Sequence, residues 1–343
     1  MFKSGISREF EGETRTVVVA AVLETTGQLR FGDGTDINIT ITEKDVISGP
    51  DGTGVEKAVF AGTKRRGVDR RTIHELRDKY WSGEDCYIPK LCGACPTCML
   101  LGFTGTTQDK KDIKDINCKS RILYATAYSV QPARNAVMTH SRNQVNERSQ
   151  TTAGAAGIHT EEVIVGGTCF PTYTTLHHVL DWEIGTFAHA FLENLNQGRY
   201  TAASRSQGGM RFSAMENGEP MISVDVSELG IFPLSAPKAA AYGENFAEVK
   251  AAFEDGGFTE NMRKKLERFG FSLGESDGTH AWQRNGREVG RRYSGKAALS
   301  YLRKRQGDFV DFLSTLENGG SDDFRKGALD YYDEVKGKKV LVE

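Results

Sequence analysis

Residues 170–198 read FPTYTTLHHVLDWEIGTFAHAFLENLNQG, and two periods follow one another in them. Phe170 to Leu180 is rich in aromatic and β-branched residues and predicts a strand. From Asp181 the period changes. Ile184, Phe187, Ala188, Phe191, Leu192 and Leu195 fall at three- and four-residue spacing, on one face of a helix over residues 181–197. Asp181 is the expected cap and Gly198 the expected stop. His189 reads as a surface or edge residue with no partner in sequence to suggest catalysis. A strand running into an amphipathic helix needs further strands and another helix to cover it.

Those partners are found on either side. Thr16 to Thr25, TVVVAAVLET, is β-branched and apolar throughout, as a central strand covered on both faces would be. Residues 31–56 are rich in Gly, Asp and Thr and read as loops with a short hairpin. Residues 69–81 predict a helix, with Thr72 and Glu75 as a capping box and Ile73, Leu76 and Tyr80 on one face. Arg121 to Gln131 and residues 210–215 predict two more strands. The resulting order, β-α-β-β-α-β, is that of the ferredoxin-like α+β fold. Residues 1–237 then form the core, with insertions at 82–120 and 135–169. Residues 238–343 show a mostly helical pattern, with Phe309, Phe312, Leu313 and Leu316 marking one amphipathic helix.

A chain of 343 residues can bury a large core, as one domain with insertions or as two. The net charge of −2 gives no global field for nucleic acid, so any such binding must come from local patches. No apolar run approaches membrane-spanning length, and MFKSGISREFEGE is not a signal peptide. A cytoplasmic protein is expected. Its six cysteines then serve metal or core packing rather than disulfides.

Cys86, Cys92, Cys95 and Cys98 place four thiols within thirteen residues, with Gly93 and Pro96 bending the chain between them. The set suits one tetrahedral, structural Zn2+ site, since no His or Glu stands beside it as a base. An iron–sulfur cluster uses the same ligand type, and buried thiols without metal are the plain alternative. Cys118 is an alternative to Cys86 as fourth ligand.

Three basic stretches are candidates for phosphate. Ala61 to Tyr80 carries seven Lys/Arg against three acids, and Lys64, Arg65 and Arg66 precede the expected helix start, where free N–H groups attract anions. Arg142, Asn143 and Arg148 open an arm of small residues that ends in Gly166-Gly167. Ser204, Arg205, Gln207, Gly208 and Gly209 form a glycine-containing loop that lets backbone approach a phosphate. Arg284 to Arg305 adds eight basic residues with Tyr293 and Tyr301 interleaved, a composition that suits single-stranded nucleic acid. Each of these patterns also fits a solvated surface.

The run RNQVNERSQT (142–151), then AAGIHTEEVIVGGTxF (155–170), then SRSQGGMRF (204–212), resembles the RAMP superfamily of CRISPR proteins. With CxxCPxCMLLGF (92–103) and the helical C-terminal region, it looks like the backbone subunit of type I-D effectors. The resemblance spans roughly residues 10–235. It implies an RRM-like palm, a zinc-bearing insertion, and a hairpin thumb at Arg142 to Gly167. It also implies that Lys64, Arg65, Arg66 and Arg70 meet phosphates of a CRISPR guide RNA, and that Ser204 to Gly209 lies along its backbone. The implied partners are further copies of the chain, other effector subunits, and a target paired to the guide. The aromatic stacking motif of RRM domains is absent, so recognition through backbone and shape is expected. A non-catalytic protein is expected. Some relatives in type III effectors cleave target RNA with an aspartate, and Asp33, Asp36, Asp45 and Asp51 lie in the corresponding glycine-rich region. No paired His or Lys accompanies them. A zinc-ribbon binding module would need a second CxxC pair, which is missing.

Overall fold

The computed structural model describes residues 14–31, 39–48, 52–81, 85–105, 116–143, 147–151, 158–201, 208–228, 246–251, 253, 260–276 and 278–340. The Arg15–Thr25 strand is its axis. It pairs antiparallel with Cys169–Val179 on one side, in the register Ala20↔Tyr173, and with Ile222–Ser227 on the other, Val19↔Val224. Ile122–Tyr124 continues the sheet beyond Cys169–Val179. Both faces of the central strand are buried, as its composition requires. Val17, Val19, Ala21 and Leu23 enter the main core, while Val22 packs with Val130, Met221, Val249 and Phe253.

The helices Gly62–Tyr80 and Asp181–Asn196 cover the main-core face, with Ile184, Phe187 and Phe191 buried. Burying each such side chain contributes about 1.5–3 kcal/mol. The Gly295–Thr315 helix packs closely on Asp181–Asn196, so closely that a Cβ at Gly185 would run into the Arg305 carbonyl.

Several boundaries differ from expectation. The first helix begins at Gly62, not at residue 69, so Thr72 lies within it and cannot cap it. Its hydroxyl instead donates to Asn194 Oδ1 at 2.6 Å, tying the two helices together. Leu180, not Asp181, precedes the second helix, and the Glu183 carboxylate caps it by accepting the Leu180 N–H at 2.9 Å. Asp181 pairs with Arg15 at 2.9 Å and with Arg305. The strand expected at 121–131 is two strands. Ile122–Tyr124 serves the main sheet, and Ala127–Pro132 pairs with Gly54–Phe60 in another. At 210–215 only Met210–Phe212 is strand, against the end of the central strand, and Ile222–Ser227 is the full-length partner.

The C-terminal region holds two long helices, Gly295–Thr315 and Ser321–Val340, as its pattern predicts. It also holds a three-stranded antiparallel meander, Ser272–Ser276, Thr279–Arg284 and Arg287–Ser294, which extends the main sheet from Ile222–Ser227. The turn between the last two strands is Asn285-Gly286, with φ of 53° and 76°. A two-residue hairpin demands positive φ at both positions, and Asn-Gly supplies it. Among the described residues no helix is long and apolar enough to cross a membrane.

Candidate metal centre and nucleic-acid interface

The Sγ atoms of Cys86, Cys92, Cys95 and Cys98 all lie within 4.8 Å of one another. Cys86 Sγ is 3.4 Å from Cys98 Sγ and 3.8 Å from Cys95 Sγ. Four thiolates about 2.3 Å from a central ion would stand about 3.8 Å apart, so the residues present fit one tetrahedral metal ion. Local sequence explains the knot. Gly93 turns the chain with φ of 74°, and Pro96 starts the short Pro96–Leu101 helix, which carries Cys98 inward. The neighbouring thiols of Cys92, Cys95 and Cys98 hold the Cys86 thiol below its usual range, through their hydrogen bonds to it. Arg70 Nη2 lies 3.9 Å from Cys98 Sγ, a cation beside the four-thiol group. Cys118 lies outside the group, in the Asn117–Cys118 strand, with its Sγ 3.8 Å from the Lys119 carbonyl. The knot is not free-standing: Cys86, Cys95, Cys98 and Met99 share an apolar cluster with Phe312, Phe324 and Tyr332 of the C-terminal helices.

The hairpin arm exists. Val137–Asn143 pairs antiparallel with Ile158–Ile164, from Ile164↔Val137 to Ile158↔Asn143. Its base is fastened by Arg30 to buried Glu161, by Lys44 to Glu162 at 2.9 Å, and by Gln28 Nε2 to His140 Nε2 at 2.9 Å. Arg142 and Asn143 lie on the first strand of the arm, with only their backbone described. Arg148 sits in the exposed turn 147–149. Ser204, Arg205 and Gln207 lie outside the described residues. Gly208 and Gly209 are described, at the base of the loop.

Of Lys64, Arg65, Arg66 and Arg70, the second and fourth are buried and the other two are half-buried. They lie within the Gly62–Tyr80 helix rather than ahead of it. Arg65 is 2% exposed, and its guanidinium donates to the carbonyls of Ala125 and Tyr173 and to Thr174 Oγ1 at 2.7 Å. Arg70 is buried beside the cysteines. Arg66 donates to the Leu101 carbonyl, and Lys64 donates to the Phe31 carbonyl at 3.0 Å. The earlier helix start places Arg65 against the sheet and Arg70 beside the cysteine knot, while Lys64 reaches Phe31 and Glu43.

The Arg284 to Arg305 stretch is divided: Arg284, Arg287, Lys296, Arg303 and Lys304 are exposed, while Arg292 lies inside the fold. Arg292 is fully buried and pairs with Asp225 at 2.5 Å, and Arg291 and Arg287 pair with Glu288 and Glu228. Tyr293 and Tyr301 stack on each other, 4.6 Å between centroids, so their facing surfaces are closed to a base. Asp45 is exposed on the Lys44–Ser48 strand, its carboxylate accepting the Val46 N–H at 2.8 Å. Asp33, Asp36 and Asp51 lie outside the described residues. Sequence reasoning missed one buried group, which holds Tyr200. Asp69 Oδ1 accepts from Tyr200 Oη at 2.6 Å and from Asn194 Nδ2 at 2.9 Å, and burial holds its carboxyl above the usual range.

Residues 42–215, just over half of the chain, match the family described as Csc2 Crispr. The chain belongs to that family. The Csc2 CRISPR match contains the cysteine knot, the arm and the glycine loop. Among solved structures, the Thermofilum pendens Csc2 crystal structure is similar, with 18% identity over 96% of this chain and 93% of that one, and a TM-score of 0.48. A Type IV-B CRISPR complex chain shows 14% identity over 63% of this chain and 92% of its own, at a TM-score of 0.40. A chain of the Csm3–Csm4 subcomplex of a type III-A complex shows 15% identity over 63% and 81%, at a TM-score of 0.32. No curated protein sequence matches.

Proposed function

We propose that this chain is a non-catalytic backbone subunit of a type I-D CRISPR effector, binding guide RNA and repeating along its spacer. The observation that carries this reading is a convergence. The base of the arm at Val165 to Thr168 bonds to Thr25, and the base of the loop at Gly209 bonds to the next residue, Thr26. The two elements whose composition suits a polyanion therefore spring from one edge of the core. The strand order Ile222–Ser227, Arg15–Thr25, Cys169–Val179, Ile122–Tyr124 matches the 4-1-3-2 order of a ferredoxin-like palm and supports that assignment. Membership of a CRISPR family supplies the context.

In this reading Arg142, Asn143 and Arg148 on the arm, and Ser204, Arg205, Gln207, Gly208 and Gly209 in the loop, meet the guide. Lys64, Arg65, Arg66 and Arg70 act mainly beneath it, by holding the helix to the sheet and the cysteine knot. Zinc is the metal proposed for the four thiolates, which suit a borderline-soft, redox-inert ion. Sequence specificity then belongs to the RNA.

The test is co-expression with a CRISPR array, purification through this chain, and sequencing of bound RNA. Spacer-length guide should be recovered. Recovery of no RNA, or cleavage of a paired RNA target that depends on divalent metal and on Asp33 or Asp36, would replace this reading with another.

A further inference from the structure

Arg66 and Arg70 stand one turn apart on the Gly62–Tyr80 helix, and both reach the short Pro96–Leu101 helix that carries Cys98. The Arg66 guanidinium donates to the Leu101 carbonyl, and Arg70 Nη2 lies 3.9 Å from Cys98 Sγ. Two cations at this spacing repel. Burial, and after it the charge of Arg70, lower the Arg66 guanidinium from its ordinary value. Arg70 itself is 6% exposed, and its Nε has no hydrogen-bond partner among the described residues. Nor does any described carboxylate pair with it. A buried cation without an opposite charge is costly, so the fold must supply one. The thiol cluster is the group within reach. A divalent ion on four thiolates leaves two negative charges in excess, and Cys95 and Cys98 are closed to solvent. Cys86 Sγ accepts the Cys92 N–H at 3.3 Å, a support that carries no net charge.

We propose that Arg70 is a positioning residue for the metal centre. Its guanidinium is the counter-cation of the ion-bound thiolates, and it couples the seating of the Gly62–Tyr80 helix to metal occupancy. The proposal rests on the reading of the four thiols as a metal site and adds to it a residue from outside the cysteine stretch. The coupling is reciprocal: what the cation contributes to holding the ion, the ion contributes to burying the cation. Arginine suits the role because it stays charged when desolvated and presents its N–H groups in a fixed fork. The same helix bonds to the main core through Thr72 with Asn194 and Asp69 with Tyr200, so the metal bears on the helix that covers that core.

The test strips the full chain with a chelator and titrates it with Zn2+ against a competing indicator. It compares Arg70→Met, which keeps a long side chain and removes the charge, with Arg70→Lys, which keeps the charge. Arg70→Met should weaken Zn2+ binding by about 10- to 100-fold, the scale of losing a group that supports a metal ligand. Arg70→Lys should recover most of that loss, since it restores a cation without the fork. With Co2+ as the probe, the thiolate-to-metal charge-transfer band should move to longer wavelength in Arg70→Met. Removing a nearby cation raises the energy of the sulfur lone pairs that donate in that transition. A role in packing alone would lower the thermal midpoint and leave both the Zn2+ affinity and the Co2+ band in place. Unchanged affinity in Arg70→Met, equal losses in both variants, or an unmoved band would each overturn the proposal. If Arg70→Met does not fold with Zn2+ present, Arg70→Gln takes its place under the same criteria. Uptake of no Zn2+ by the parent chain is a separate result that defeats the metal reading and, with it, this one.

Discussion

The Tyr332 hydroxyl, on the C-terminal helix, donates to the Gly93 carbonyl at 2.7 Å, inside the Cys92-x-x-Cys95 turn. A residue near the end of the chain thus braces the turn that carries two of the four clustered thiols, from 239 positions away. The same hydroxyl lies 2.8 Å from Met99 Sδ, one residue beyond Cys98. Tyr332→Phe keeps the ring, which packs edge-on to Phe103, and leaves the Gly93 carbonyl without its donor. We expect about 1–3 kcal/mol of destabilisation. We also expect faster loss of metal to a chelator, read by a colorimetric zinc indicator. Equal release from variant and parent would separate the helix from the knot.

Metal analysis should give one zinc per chain. Cys86→Ser should lose it, and with it cooperative unfolding of the helices packed around the knot. Cys118→Ser should keep full occupancy, because Cys118 lies outside the four-thiol group. Acidification should release the ion, since thiolate ligands must shed protons to bind it and take them back as pH falls. Retention of metal in Cys86→Ser together with loss in Cys118→Ser would exchange the two roles.

Legibility in the sequence followed how local each signal is. The Asp181–Asn196 helix and the Arg15–Thr25 strand were readable because their whole pattern lies within one element. The four-cysteine cluster was readable because its members lie within thirteen residues of one another. The boundary at Gly62 was not, since Lys64, Arg65 and Arg66 read as a polar lead-in. Only the contact of Arg65 with Thr174, 109 residues on, shows why charge is tolerated inside. Two misses had usable signals. ISVDVS at 222–227 alternates strictly, and RNGR at 284–287 holds the Asn-Gly pair that marks a hairpin. The second lay in a stretch read for charge rather than period. The role of Thr25 and Thr26 had no local signal, because it arises from bonds to residues 140 and 183 positions away.

Cys169 offers a chemical probe of the sheet beneath the arm. Burial, with Glu24 nearby, raises its thiol to about 11. At pH 8 only about a thousandth is thiolate, the reactive form. Alkylation of the folded, metal-loaded chain should therefore spare Cys169 at pH 8 and speed up about tenfold per pH unit toward 11. The sign for stability follows. A folded-state value above the ordinary thiol value of about 8.5 means this contribution is intact below that pH and is lost as pH rises through about 11. Rapid labelling of Cys169 at pH 8, read by peptide mass, would show that the arm's base opens readily.

The arm should separate into a tip that serves assembly and a base that serves stability. Residues 147–151 are exposed throughout, so replacing residues 145–157 with a short Asn-Gly turn removes no buried side chain among those described. Ile158 to Thr160 must stay, because they pair with Ser141 to Asn143. The shortened chain should keep its metal and its thermal midpoint, yet form short or no guide-bound arrays when co-expressed with a CRISPR array. Glu161→Gln should do the reverse of the tip replacement. It leaves Arg30 buried against an uncharged partner, a change that costs about 3–5 kcal/mol when a buried ion pair is broken. Stability should fall before assembly is tested at all. Charge reversal at Arg142 and Arg148 should shorten arrays more mildly, with the defect deepest at low salt, where repulsion between the reversed charges and phosphate is least screened. Particle length by electron microscopy, beside the thermal midpoint of each variant, reads both properties. Arrays of normal length from the tip replacement would mean that the arm does not join one copy to the next.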